Sequence, residues 1–209
     1  CIAWGIVCLP FLVFGFRSLN RRVQENRRSI TLIAMAGAFV FVLSSLKIPS
    51  VTGSCSHMTG TGLGAILFGP SAVSILGIIV LLFQAILLAH GGLTTIGANT
   101  FSMAIAGPFV TFAIYKVCQK CKVNKMVAIF LSATLGDLFT YCVTAVQMAL
   151  AHHADTTILN AMGKFLLVFA PTQVPLAIIE GILTVLIIMA LETYAKPELR
   201  AIGFMKEAK

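Results

Sequence analysis

The chain has 209 residues, 58% hydrophobic and 11% charged, with a mean hydropathy of +0.98 and a formal charge of +8. Soluble domains carry about 25% charged residues, so a soluble globular fold is excluded, and the long apolar runs exclude a transmembrane β-barrel, which alternates in short ones. No RNA- or DNA-reading motif accompanies the positive charge, so nucleic acid is not expected as a partner.

Segments long enough to cross a bilayer, roughly 20 apolar residues each, fall at 1–16, 30–48, 70–90, 97–117, 126–150 and 165–191. The expected fold is all-α: a polytopic transmembrane bundle of six to seven helices, one domain over 1–209. The opening run Cys1-Ile2-Ala3-Trp4 lies inside an apolar stretch, without an initiator Met or a basic leader. It reads as the start of a fragment, with further residues expected ahead of it outside the membrane.

Thirteen of the fifteen Lys and Arg residues form three clusters: Arg17, Arg21, Arg22, Arg27 and Arg28; Lys116, Lys120, Lys122 and Lys125; and Lys196, Arg200, Lys206 and Lys209. Short loops rich in Lys and Arg stay cytoplasmic. The chain start is therefore expected outside and the carboxyl terminus in the cytoplasm, with loops 49–62, 91–96 and 151–164 external. Lys47 and Lys164 are placed to snorkel outward.

In the second span, Ala34-Met35-Ala36-Gly37-Ala38 sets small residues four apart. That spacing admits close helix approach, either to another subunit or within this chain. The segment 63–90 must return to the side it left, and Gly69-Pro70 divides it. Because Pro disrupts a helix interior, the reading is a half-helix near 63–69 that dips into the membrane, followed by a full span over 70–90. A single tilted helix over 63–90 is the alternative. At the cytoplasmic end of the fourth span, Cys118-Gln119-Lys120-Cys121 lacks the second ligand pair of a structural zinc site.

All four histidines lie in or beside the external loops. His57 stands in a run of small and hydroxyl residues, Gly53 to Gly62, and non-helical backbone at a membrane boundary survives where it is buried or lines a cavity. Imidazole is the commonest metal-binding side chain, so His57 is the candidate ligand, with Ser54, Ser56 and Thr59 as its support; a hydrogen-bonded histidine at the mouth of the half-helix is the alternative. Cys55 is read as a small packing residue. His90, before Gly91-Gly92, is assigned to a packed or outer-support role, with direct ligation as the alternative, and Asn99 to outer support of the site. His152 and His153, with Asp155, are read as a solvated loop. Within the spans, Gln84, Asp137, Tyr141, Gln147, Gln173 and Glu180 form an expected intramembrane polar network, since charges there are costly and face the bundle interior. The equal depths of Asp137 and Glu180, about 17 Å from the inner ends of their spans at 1.5 Å per residue, favour this.

The stretch from Leu46 to Pro70, containing Gly53-Ser54-Cys55-Ser56-His57-Met58-Thr59-Gly60-Thr61-Gly62, resembles the CbiM/NikM family, as does Leu81 to Asn99, containing His90-Gly91-Gly92-Leu93-Thr94-Thr95. The resemblance covers essentially the whole chain; Asp137-Leu138-Phe139-Thr140-Tyr141 and Glu180-Gly181-Ile182-Leu183-Thr184 share it more weakly. It implies a membrane substrate-capture subunit of a cobalt or nickel energy-coupling-factor transporter, closer to the cobalt branch. In that family the metal is held by nitrogens of a Met-His amino terminus and by one loop histidine, which matches His57. Cobalt(II), with nickel(II) as the alternative, is then the transported substrate, and nitrogen donors suit such late first-row ions better than Mg²⁺ or Ca²⁺. The implied partners are a transmembrane scaffold subunit, which Ala34 and Ala38 would contact, ATP-binding cassette ATPase subunits, a possible small accessory membrane subunit, and the lipid bilayer.

No Gly-x-x-x-x-Gly-Lys-Ser/Thr phosphate loop occurs, so this chain is not expected to bind ATP or to be an enzyme by itself. An intramembrane hydrolase would need a nucleophile and a base or a His-Glu-x-x-His site. Ser56 beside His57 does not make a dyad. A secondary carrier driven by ions would rest on Asp137 and Glu180, without a visible internal repeat.

Overall fold

The computed structural model describes residues 2–27, 29–49, 55–152 and 157–205. Two long helices open it, α1 (Ile2–Glu25) and α2 (Ser29–Ser45), followed by a short antiparallel pair, β1 (Lys47–Pro49) and β2 (Cys55–His57), with Lys47 opposite His57. Helix α3 (Thr61–Phe68) meets α4 (Pro70–Leu87) at Gly69. A one-turn α5 (Ile96–Asn99) runs through a π-helical segment, Thr100–Ala106, into α6 (Gly107–Lys120). Helices α7 (Lys125–Ala151), α8 (Ile158–Tyr194) and α9 (Lys196–Ala201) complete the chain.

Among the described residues, five helical segments are long and apolar enough to cross a membrane: α1, α4, the continuous Ile96–Lys120, α7 and α8. The protein is an all-α multi-pass membrane bundle with five such spans rather than six to seven. Length decides the difference. Helix α2 has 17 residues, about 25 Å at 1.5 Å per residue, short of the roughly 30 Å of a hydrocarbon core.

The break expected between the half-helix and the following span is present, and a single helix over 63–90 is not. Gly69 has φ 82° and ψ 159°, a region open essentially to glycine alone. Pro70 then starts α4, where its missing N–H costs nothing. All eight residues of α3 are buried, because α2, α4, α6 and α7 surround it.

Other boundaries moved. Helix α1 continues well past residue 16, and α8 starts at Ile158 rather than near 165. Hydropathy marks the lipid-buried part of a helix, whereas its hydrogen-bond ladder continues into water. Pro171 and Pro175 both lie inside α8 without ending it. The antiparallel pair of Lys47–Pro49 with Cys55–His57 was not anticipated by an all-α reading; its hydrogen bonds satisfy backbone that is not helical.

Helix α7 packs along both α6 and α8. Its contact with α6 depends on Gly136, where a Cβ would stand 1.8 Å from Thr111 Oγ1. One apolar cluster joins Leu19 and Val23 of α1, Leu32 of α2, Tyr115 of α6, Ala128 and Ile129 of α7, Ile188 of α8 and Leu199 of α9. That cluster gathers the α1–α2 turn, the α6–α7 turn and the carboxyl-terminal segment at one end. The three basic clusters, so far as they are described, therefore share one end of the bundle; Arg28, Lys206 and Lys209 lie outside the described residues. There Lys125 pairs with Glu192 and sits over the Phe204 ring, 4.6 Å from its centre.

Candidate functional site

At the opposite end a cavity of about 460 Å³ opens between β2, α4, the turn after it, α5, α7 and α8. His57, His90, Asn99, Gln147 and His152 line it together with Tyr141. Sequence positions 57, 90 and 152 thus line one space, the last of them exposed.

The backbone around His57 is held from several sides. Its N–H donates to Tyr141 Oη at 2.9 Å, and the same hydroxyl donates to the His57 carbonyl at 2.9 Å. Gln173 Nε2 also points at that carbonyl, at 3.4 Å, and donates to Asp137 Oδ2. One residue earlier, the buried Ser56 Oγ lies 2.7 Å from Thr172 Oγ1. Two residues later, the Thr59 N–H donates to Glu180 Oε2 at 2.6 Å and the Thr59 hydroxyl to Oε1 at 3.1 Å. Glu180 is 0% and Asp137 1% exposed. Two long helices thereby use four polar side chains to fix one short loop, which is what allows non-helical backbone at this depth.

The ring itself has a defined tautomer. His57 Nδ1 lies 2.9 Å from the Met58 carbonyl; a carbonyl only accepts, so Nδ1 carries the proton and Nε2 keeps its lone pair. Metal-binding histidines ordinarily donate their other ring N–H to a group of this kind. Burial pushes the His57 pKa down to about 4, with the Met58 hydrogen bond opposing and His90 reinforcing the shift. The imidazole is therefore neutral at pH 7. Burial, with a smaller push from Lys47, also lowers His90.

Two residues assigned to the polar network stand elsewhere. Gln84 donates to Ser44 Oγ, tying α4 to α2, and shares no hydrogen bond with the carboxylates, although it reaches the cavity wall. Gln147 donates to the Ala98 carbonyl at 3.2 Å. Asn99 Nδ2 donates to Thr95 Oγ1 at 3.5 Å. Ala34 and Ala38 are exposed on one face of α2, so neither packs into this chain. Ser54, His153 and Asp155 lie outside the described residues.

Thr172, Met58 and Ser44 were not singled out. A carbonyl acceptor leaves no trace in side-chain identity, and a lone Ser or Thr in an apolar helix is ordinary. The π-helical segment, which begins directly after Asn99 and turns Ser102 and Met103 toward the cavity, likewise has no compositional marker, although such segments are frequent at functional sites. Among the described residues no group of three or more His, Cys, Asp and Glu side chains could by itself hold a metal ion.

A membrane bundle with a histidine-bearing cavity at the end opposite its basic clusters is built to receive a small solute from one side. The chain belongs to the CbiM family: it matches the family model described as cobalt uptake substrate-specific transmembrane region over residues 1–199. A cobalt transport protein CbiM of Lachnoclostridium phytofermentans is 73% identical over 98% of this chain and 82% of that protein. One of Chlorobium limicola is 62% identical over 96% of this chain and 79% of its own length. Among solved structures, one described as a truncated transition metal transporter is 25% identical, with a TM-score of 0.81, covering 93% of this chain and 94% of that one.

Proposed function

We propose that this protein captures cobalt(II) at the outer face of the cell membrane for import by an ATP-driven energy-coupling-factor transporter. The observation that carries the reading is the imidazole of His57, neutral and locked with Nε2 unprotonated on the wall of the cavity. The family description and the names of the close relatives support the choice of ion. His57 supplies one nitrogen and a Met-His amino terminus of the family type supplies further ones, which together make a nitrogen-rich site favouring late first-row ions. Ser56 and Thr59 hold the loop from α8, with Ser54 assigned to the same support.

The basic end faces the cytoplasm and the cavity faces outward. In that orientation α2 is the sixth crossing, reached by local thinning of the bilayer, and α3 is a dip from the outer side. The protein works as a non-catalytic subunit: a transmembrane scaffold and ATPase subunits supply the drive, and the exposed Ala34–Ala38 face of α2 meets the scaffold.

The test is isothermal titration of full-length protein with Co²⁺ and, separately, Ni²⁺. His57→Ala is expected to abolish tight binding while leaving the melting temperature of the metal-free protein unchanged. Wild-type affinity in that variant refutes the assignment, and tighter binding of Ni²⁺ than of Co²⁺ would change the substrate.

A further inference from the structure

We propose that His90 is a further ligand to the captured ion, beside His57 and the amino-terminal nitrogens, so that the imidazoles of the His57 loop and of the turn after α4 both bind the substrate. The inference rests on the capture reading above and goes beyond its single loop histidine.

The ring centres of His57 and His90 are 4.8 Å apart, and their planes cross at 83°. An ion about 2.1 Å from an imidazole nitrogen sits roughly 3.2 Å from the ring centre, so two imidazoles bound to one ion at 90–109° have centres about 4.5–5.2 Å apart. The observed spacing falls inside that window without any rearrangement of the backbone. Trans ligands would need about 6.4 Å by the same arithmetic, so the pair fits adjacent coordination positions only.

The second observation concerns the chemistry of the ring. His90 Nδ1 is buried and finds no hydrogen-bond partner among the described residues. A histidine retained for packing would satisfy a buried nitrogen. His57, in contrast, commits Nδ1 to a carbonyl and keeps Nε2 available.

The third observation is the way the residue is presented. Ala89, immediately before it, has φ 46°, a left-handed conformation that a non-glycine residue keeps only when its surroundings impose it. The His90 N–H donates to the Gln84 carbonyl at 3.2 Å. On the far side the Gly92 N–H donates to Thr95 Oγ1 at 3.0 Å, and the Thr95 hydroxyl returns a bond to the Gly92 carbonyl at 3.0 Å. The turn after α4 is thus closed on itself with the imidazole on its cavity side.

Losing a partner that merely supports a ligand typically lowers metal affinity about 10–100-fold, so affinity alone does not separate ligand from support. The deciding measurement counts imidazoles. X-ray absorption of Co²⁺-loaded full-length protein is expected to show one imidazole fewer in both His90→Ala and His90→Asn than in wild type, with affinity lowered at least about tenfold. Free imidazole added to His90→Ala is expected to restore the missing scatterer. An unchanged imidazole count in either variant, or unchanged affinity, overturns the proposal. His57→Ala separates the two readings: if it retains binding, the capture site itself is misassigned, whereas if it loses binding and His90→Ala keeps the full count, only the role of His90 falls. Melting of the metal-free variants confirms that each is folded, and His90→Asn keeps a planar polar group should the alanine variant unfold.

Discussion

Tyr141→Phe tests whether the His57 loop is held by hydrogen bonding or by packing alone. The phenolic oxygen both accepts the His57 N–H and donates to the His57 carbonyl, each at 2.9 Å. Phenylalanine keeps the ring, whose neighbours are Phe169 at 5.5 Å and His57 at 6.2 Å between centres. The carbonyl retains Gln173 Nε2 at 3.4 Å, so the principal loss is the acceptor for the N–H. A buried donor left unsatisfied costs about 1–3 kcal/mol. Taking about 2 kcal/mol, the ordered loop becomes roughly 30-fold less favoured, and Co²⁺ affinity falls by a similar factor if capture needs that order. Calorimetric titration of the full-length protein, with melting curves in the presence and absence of Co²⁺, measures both effects. Wild-type affinity together with an unchanged metal-free melting temperature would show that the hydroxyl does not position the loop.

Glu180→Ala removes the acceptor of the Thr59 N–H and hydroxyl at a fully buried position. The metal-free protein should lose about 1–3 kcal/mol of stability, read as a lower melting temperature in detergent. Glu180→Gln keeps one acceptor oxygen and should lose less; equal losses would argue that volume, not hydrogen bonding, matters there. Replacing Ala34 and Ala38 together by Leu adds bulk on an exposed face of α2 and should reduce co-purification of the scaffold subunit while leaving Co²⁺ affinity within about twofold, since surface changes away from a site are usually within ±0.5 kcal/mol. Recovery of the complex at wild-type yield would move the contact elsewhere.

The membrane class, the break at Gly69-Pro70 and the gathering of the basic clusters at one end were all legible because each follows from a local rule: hydropathy, the disruption of a helix interior by proline, and charge counting. The extent of α8 was not, because its prolines and polar ends mask a helix that needs only continuous backbone hydrogen bonding. The pairing of carboxylates with the loop was half legible. Asp137 and Glu180 announce a buried network by their cost in lipid; Glu180 accepts from Thr59 and Asp137 from Gln173, and the two carboxyls also interact, an arrangement set by how α7 and α8 face each other. Gln84 shows the limit of such reasoning: a polar residue at the right depth found Ser44 on another helix. The approach of His90 to His57 joins residues 33 positions apart across a break, and only tertiary packing brings them together.

The total burial of α3 anchors the His57 loop just before it, so that loop and the turn after α4, which both line the cavity, are walls of unlike stiffness. Amides between Thr61 and Phe68 cannot open without disturbing α2, α4, α6 and α7, so their hydrogen exchange follows the global unfolding of the bundle. The other wall is the reverse turn from Leu88 to Thr95, where Leu93 is 63% exposed and little packs above it. Any opening of the space is therefore expected at that outer rim, while the imidazole side anchored to the core stays put like an anvil.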